Sequence, residues 1–188
     1  ALDAGAMGIG TSRTLFHRAS DGSPIPTLDA TNDELLALAR TLRKAGKGVF
    51  QIVEDVHLPG KDVSVLRQLA EASGRPLTFS MGTGNSGPQI WPQLLQGLED
   101  ANAAGVTIKG QVMPRAIGMM LGVELTLNPF YTTAGYREVA DLPLPERLAQ
   151  LRDPARRARI LAEPTDPDPT LVLGRMVRDF DYMFLLGD

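Results

Sequence analysis

A glycine-rich turn at residues 80–88, SMGTGNSGP, follows an apolar, β-prone run and precedes a helical pattern. This arrangement binds phosphate in many nucleotide-binding proteins. A P-loop requires a Gly-Lys-Ser/Thr ending, and the turn contains no lysine. The glycines have dinucleotide-type spacing, but Glu99 and Asp100 lie on the predicted helix and not after a second strand. We therefore interpret the turn as a βα connection, either structural or with backbone donors facing a non-nucleotide ligand.

The residue spacing gives little support to serine hydrolysis or to metal binding. Ser86 does not lie in a G-x-S-x-G elbow, and His17 and His57 are the only histidines available as general bases, so a catalytic triad is disfavoured. His57 stands close to Glu54 and Asp55, and such a group could hold a divalent ion. Two histidines without a repeated ligand spacing are more typical of loop residues.

Arginines offer a third chemistry, the binding of a carboxylate. Arg115 follows the fourth predicted strand in the segment PRAIG, where its guanidinium could donate paired hydrogen bonds to a substrate carboxylate. The alternative at this position is a structural ion pair. Arg152, Arg156 and Arg159 recur near one helical face, which we interpret as solvated.

The composition excludes several classes of protein. A net charge of −3 argues against a nucleic-acid-binding surface. The chain has no cysteine, which excludes a disulfide framework, and no apolar run approaches the roughly 18 residues of a membrane span. We predict a cytoplasmic protein with no nucleic-acid or membrane partner. The opening ALDAG resembles the end of a helix, so we expect the chain to be a piece of a longer protein.

Strand-like and helical patterns alternate along the first part of the chain. Candidate strands lie at 7–14, 48–53, 76–81 and 106–113, and the last two steps are about 30 residues, close to the repeat of a (β/α)8 barrel. The pattern predicts the α/β class, with a partial (β/α)8 barrel of about four parallel units over residues 1–113. A small doubly wound sheet remains open as an alternative.

The remaining residues, 114–188, have no clear further strand. We predict a helical and irregular extension packed on the barrel, with short helices around residues 116–122, 134–140, 144–151 and 154–162.

Six segments, which occur in this order along the chain, carry a resemblance to a known family: GAMGIGTSRT, TNDELLALARTL, GVFQIV, GVTIKGQVMPRAIG, LTLNPF and YREVADLPLPERLAQLRDPARRARIL. In these segments the chain is similar to the N-acyl-D-amino-acid deacylase branch of the amidohydrolase superfamily. The resemblance covers essentially the whole chain and matches the middle and later part of a longer family member. It implies a (β/α)8 barrel that uses a divalent metal, usually zinc, to hydrolyse the amide C–N bond of N-acyl-D-amino acids.

The chain departs from the family at two positions. Where the resemblance implies a histidine ligand in the second and third strands, the chain has Val53 and Met81. We also expect the family's paired-histidine strand and its catalytic-aspartate strand to be absent from this chain. No metal ligand and no cofactor are therefore predicted on these residues, and activity of the chain alone is not expected.

The candidate site residues follow from the expected barrel mouth. We predict that the substrate is contacted by Arg13, Gln51, Ser80, Gln111 and Arg115. One arginine would hold a substrate carboxylate, and Gln51 and Ser80 would donate hydrogen bonds. The rival hypothesis is a catalytically degenerate scaffold that binds a small ligand or a partner. Because half a barrel leaves two sheet edges open, we also expect pairing with the remainder of a barrel or self-association.

Overall fold

The computed structural model describes residues 1–19, 23–56, 64–82, 91–116, 118–125, 127–164 and 178–186. The chain divides into two compact units, Ala1–Ala116 and Ile117–Asp188. Each unit is described separately.

The first unit is built on a four-stranded parallel sheet. Its strands are β1 (Gly8–Arg13), β2 (Val49–Glu54), β3 (Leu77–Ser80) and β4 (Ile108–Gln111), and its helices are α1 (Asn32–Ala45), α2 (Ser64–Ser73) and α3 (Trp91–Ala103). The spatial order is β1-β2-β3-β4, with every neighbouring pair parallel. The predicted α/β class and the parallel sheet are thus confirmed. The sequential order differs from that of a doubly wound sheet, in which the order reverses at a switch point.

The two faces of the sheet have different compositions because strand side chains alternate in direction. On one face, Phe50, Ile52, Leu77 and Phe79 are fully buried, and they join the apolar side chains of α1, α2 and α3 in a single core. Residues between them, such as Gln51, lie on the other face and are only half-buried. The helices in the described part of the first unit therefore cover one face of the sheet, which we call the core face; the other is the polar face.

Helix α1 forms where the sequence predicts it, and its ends have the expected caps. The Thr31 hydroxyl accepts a hydrogen bond from the Glu34 backbone N–H at 3.2 Å. Gly46 ends the helix in the left-handed conformation, with φ of 67°. Leu35, Ala39 and Leu42 are the buried residues of the helix, at the spacing of one helical face.

The outer edge of β4 is covered in part by a side chain. The Asn102 side-chain amide accepts a hydrogen bond from the Ile108 N–H at 3.4 Å and donates one to the Ile108 carbonyl oxygen at 2.9 Å. It therefore pairs with Ile108 as a neighbouring strand would. This pairing connects the end of α3 to the start of β4 and blunts an edge that could otherwise pair with another chain.

Replacing Asn102 with alanine is expected to lower the free energy of unfolding by about 1–2 kcal/mol, because the Ile108 backbone groups lose their partner. Urea denaturation measures the difference. Gln96→Ala, on the exposed side of the same helix, is the control and should change stability by less than about 0.5 kcal/mol. Equal stability of the two variants would contradict the role given to Asn102.

The second unit contains three short α-helices in its described residues, besides a single 3₁₀ turn at Phe180–Tyr182. They are α4 (Ala134–Arg137), α5 (Leu144–Arg152) and α6 (Pro154–Ala162), and Asp153 caps α6 by accepting from the Ala155 N–H at 2.8 Å. The predicted helix at 116–122 is wrong, since residues 118–122 are irregular. Met119 and Met120 are exposed and not packed, so a helix over these residues would have no tertiary contacts to stabilise its apolar side chains. None of the helices within the described ranges combines the length and the apolar character of a membrane span.

Glu138 forms an ion-pair cluster at the surface of the second unit. Its Oε2 lies 2.6 Å from Arg159 Nη2 and 2.9 Å from Arg156 Nη1. The hydrogen bond from Arg159, followed by that from Arg156, lowers the pKa of the Glu138 carboxyl below its usual value of 4.5.

Glu138→Gln is expected to lower the unfolding temperature slightly at neutral pH and not at strongly acidic pH. A lowered pKa in the folded state gives a stabilisation that is fully present above about pH 4.5 and is lost as the pH falls through the folded pKa. Because the pair is exposed to solvent, the effect is small. Thermal unfolding of both proteins between pH 7 and pH 3 tests this; a difference that does not change with pH would contradict it.

Candidate functional site

Three of the five predicted site residues share the polar face of the sheet. Gln51 on β2 lies beside Thr78 on β3, which lies beside Lys109 on β4. Ser80 and Gln111 are paired two residues further along β3 and β4. The parallel register therefore places Gln51, Ser80 and Gln111 on one surface, with Ser80 and Gln111 at the carboxyl ends of β3 and β4, where ligands bind in βα folds.

The polar face offers hydrogen-bonding groups rather than acids. Its side chains on β2, β3 and β4 are two amides, two hydroxyls, the Lys109 ammonium and two valines, the exposed Val49 and the half-buried Val53. On β1 it carries Gly8, Gly10 and Ser12, which leave the strand backbone accessible. Such a surface can bind the carbonyl, the N–H or the carboxylate of a small polar ligand.

Arg13 lies on the core face, opposite the other candidate residues. Its side chain is only 9% exposed, and its Nε donates to Glu54 Oε2 at 2.6 Å across the β1–β2 pair. Its Nη1 donates to the Ala30 carbonyl oxygen at 2.9 Å and to Asn32 Oδ1 at 2.8 Å. Arg13 thus connects two strands to the start of α1. Its predicted contact with a substrate carboxylate stays a prediction and would require these internal bonds to exchange.

Asp55 anchors the segment that follows β1. Its carboxylate accepts a hydrogen bond from Thr14 Oγ1 at 2.5 Å and another from the Leu15 N–H at 2.8 Å. Asp55 and Thr14 are both almost fully buried. Two hydrogen bonds to a buried carboxylate fix the position of residues 14 and 15 beside the end of β2.

Ser12 and His17 form a hydrogen-bonded pair on either side of this anchored segment. Ser12 Oγ lies 2.7 Å from His17 Nδ1. Ser12 belongs to the polar face near the carboxyl end of β1, and His17 is exposed. A hydroxyl and an imidazole at this distance can exchange a proton.

The remaining predicted residues lie apart from this group or outside the described part of the chain. Arg115 is exposed beyond the end of β4. Met81 is buried in the core, 8% exposed, where its side chain packs beside Gly110. His57 and residues 83–88 of the glycine turn lie outside the described residues.

Metal binding finds no support within the described ranges. They contain no group of three or more histidine, cysteine, aspartate or glutamate side chains that could hold a metal ion. A cleft of about 300 Å³ lies elsewhere, at the amino-terminal ends of β3 and β4, lined by Gly74, Pro76, Gly105 and their neighbours. The cleft therefore lies at the opposite ends of the strands from the polar side chains near Ser80.

The residues that sequence reasoning missed are those whose partners are distant in the chain. In the sequence, Glu54 and Asp55 stand out only as neighbours of His57, although Glu54 pairs with Arg13 and Asp55 with Thr14. The available signal is a matched pair of polar residues where two neighbouring strands end, Arg13-Thr14 at the end of β1 and Glu54-Asp55 at the end of β2. Ser12 and His17 carried no recognisable motif.

Comparison with protein-family models, with curated proteins and with solved structures gives no match to this chain.

Proposed function

We propose that this chain forms part of a (β/α)8 barrel of the amidohydrolase type, in which the polar face lines the substrate site. The proposed activity is metal-dependent hydrolysis of the amide C–N bond of an N-acyl-D-amino acid or a related small amide, in the cytoplasm. The observation that carries the proposal is the sharing of one face by Gln51, Ser80 and Gln111.

The sheet order supports the barrel part of the proposal. Sequential parallel strands with helices packed on one face are the arrangement of a barrel wall, in which the helices lie outside and the strands inside. In that setting the polar face is the inner face. Polar side chains near the carboxyl ends of the strands support a ligand site at the barrel mouth.

The chemistry of the polar face suits an N-acyl amino acid. Amide and hydroxyl groups of Gln51 and Ser80 can donate to the acyl carbonyl oxygen, and the Gln111 amide can accept from the substrate N–H. Arg115 and Lys109 are exposed cations close to Gln111 in the chain, and either can hold the substrate carboxylate. In this role the chain orients the substrate.

The expected zinc does not fit the described residues. The polar face offers amides, hydroxyls and an ammonium, whereas zinc prefers thiolate, imidazole and carboxylate ligands. We therefore derive no step of the reaction through a metal on these residues. The proposed hydrolysis would depend on ligands supplied from outside the described ranges.

A non-catalytic scaffold is the second candidate function. The observation that favours it is Met81, an apolar side chain packed in the core at a position where the family resemblance implies a metal ligand. A barrel with this substitution could retain the substrate-binding face and lose the chemistry.

The outer edge of β1 is a place where a partner strand could complete the barrel. The Met7 carbonyl oxygen accepts a hydrogen bond from the Val49 N–H, so the backbone of Met7 faces β2. Since the N–H and C=O groups of successive strand residues point to opposite sides, those of Gly8, Gly10 and Ser12 point away from β2. These groups can pair with a further parallel strand, from the remainder of a barrel or from a second copy. Sedimentation equilibrium tests the second-copy version, which predicts a dimer; a monomer at all concentrations would contradict it.

Calorimetric titration with N-acetyl-D-leucine tests the binding proposal. We expect measurable binding by the chain, weakened about fivefold or more by Gln51→Ala and by Ser80→Ala, since each removes a hydrogen bond to the ligand. Arg67→Ala, on the exposed surface of α2, is the matched control and should bind as the original chain does. Absence of binding, or equal affinity in all variants, would contradict the proposal.

Metal content and acid release from N-acetyl-D-amino acids separate the two candidate functions in the longer protein whose barrel this chain would form part of, because the chain alone is not expected to hydrolyse the amide. If that protein binds zinc and releases acid, and EDTA stops the release, the enzyme proposal is supported. If it binds no metal and releases no acid, the scaffold is supported.

A further inference from the structure

We propose that Ser12 and His17 form a nucleophile–base pair that accepts an acyl group from a small activated ester. This inference goes beyond the metal-dependent function proposed above and does not depend on it. It begins from the 2.7 Å hydrogen bond between Ser12 Oγ and His17 Nδ1. A weak nucleophile in contact with a base is the arrangement that makes a serine reactive at neutral pH.

The pair is held in place by hydrogen bonds in the segment that joins its two residues. Between Ser12 and His17, the Thr14 hydroxyl and the Leu15 N–H are both bound by the Asp55 carboxylate. The Phe16 N–H donates to Thr14 Oγ1 at 3.2 Å, and the His17 N–H donates to the Thr14 carbonyl oxygen at 3.4 Å. The segment that joins the two residues is therefore bonded at each position, so little ordering remains to be done when a substrate binds.

The pair is also accessible, and a suitable donor lies near it. His17 is exposed and Ser12 is half-buried on the polar face, at the carboxyl end of β1. Gln51 lies on the same face, one diagonal step away across the β1–β2 pair. Its amide can donate to the oxyanion that develops on the ester carbonyl.

The proposed reaction needs only the ester, water and the two side chains, and no cofactor. His17 Nδ1 takes the proton of Ser12 while Oγ forms a bond to the carbonyl carbon of the ester. The bond between that carbon and the leaving oxygen then breaks, and the proton returns from His17 to the departing alcohol. Water, activated by the same imidazole, then hydrolyses the acyl-serine to a free acid.

A fluorophosphonate probe tests the pair in the full chain, because Ser12 Oγ would form a bond to phosphorus as fluoride leaves. The reaction is run in EDTA, which stops metal-dependent hydrolysis. Absence of labelling would therefore count against the Ser12–His17 pair and not against the metal-dependent function. Intact mass spectrometry should show one phosphonyl adduct per chain, and peptide mapping should place it at Ser12. Ser64→Ala, an exposed serine at the start of α2, is the control and should be labelled as the original chain is.

Two variants decide the proposal. Ser12→Ala should abolish the adduct, and His17→Gln should slow labelling about 100-fold by removing the base. Because His17 is exposed, its replacement keeps the fold, which far-ultraviolet circular dichroism checks. No adduct in the original chain, an adduct that persists in Ser12→Ala, or an unchanged labelling rate in His17→Gln would each overturn the proposal.

Discussion

Arg13→Met is expected to lower the free energy of unfolding by about 3–5 kcal/mol, because it removes the guanidinium that pairs with the buried Glu54 carboxylate. Glu54 is only 4% exposed, so water cannot replace the guanidinium that now donates to it at 2.6 Å. The same change removes the hydrogen bonds that hold the start of α1 through Ala30 and Asn32. Urea denaturation monitored by circular dichroism gives the difference.

The double variant Arg13→Met with Glu54→Leu is the matched control. It removes both charges, so no unpaired ion is left in the core, and much of the lost stability should return. The interaction energy from the four proteins isolates the ion pair from the packing of the side chains. A double variant as unstable as the sum of the two single variants would contradict the ion pair as the cause.

Gly8→Ala is expected to disrupt the pairing of β1 with β2, with a loss of more than about 3 kcal/mol. A Cβ atom at Gly8 would overlap the Val49 carbonyl oxygen and lie 2.9 Å from its carbonyl carbon, so the neighbouring backbone would have to move. Gly10→Ala is the control in the same strand, since its Cβ would meet only the Gln51 side chain at 3.5 Å.

Thermal unfolding and amide hydrogen exchange measure the difference between the two glycine variants. Gly8→Ala should unfold at a much lower temperature and lose protection of the Val49 amide, whereas Gly10→Ala should keep both. If the two alanine variants are equally stable, the close approach of β1 and β2 at Gly8 is contradicted.

The elements of the first unit could be predicted because each has a strong local signal. The Thr31 cap, the repeat of Leu35, Ala39 and Leu42, and Gly46 mark α1 at both ends. The short buried strands β2 and β3 follow a helix and a glycine in the same way. The helix predicted at 116–122 does not form. An apolar sequence stabilises a helix only when its apolar face packs against a partner, and residues 118–120 are exposed.

The candidate site was only partly predictable. Alternation along each strand is enough to place Gln51, Ser80 and Gln111 on one face once the sheet is parallel and in order. The same alternation places Arg13 on the opposite face, but its place at a strand end suggested the barrel mouth instead. The bonds from Arg13 to Glu54 and from Thr14 to Asp55 join residues 41 apart in the chain. Such pairs depend on strand register, which periodicity does not contain.

A nitrogen-15 NMR titration of the chain with N-acetyl-D-leucine tests the polar face as a ligand site most directly. We expect the side-chain amide signals of Gln51 and Gln111 and the backbone signal of Ser80 to shift together, with one apparent affinity. Signals from the core face, such as those of Ile52 and Phe79, should shift much less. Shifts confined to the cleft near Gly74 and Gly105, or no shift at saturating ligand, would contradict the polar face as the ligand site.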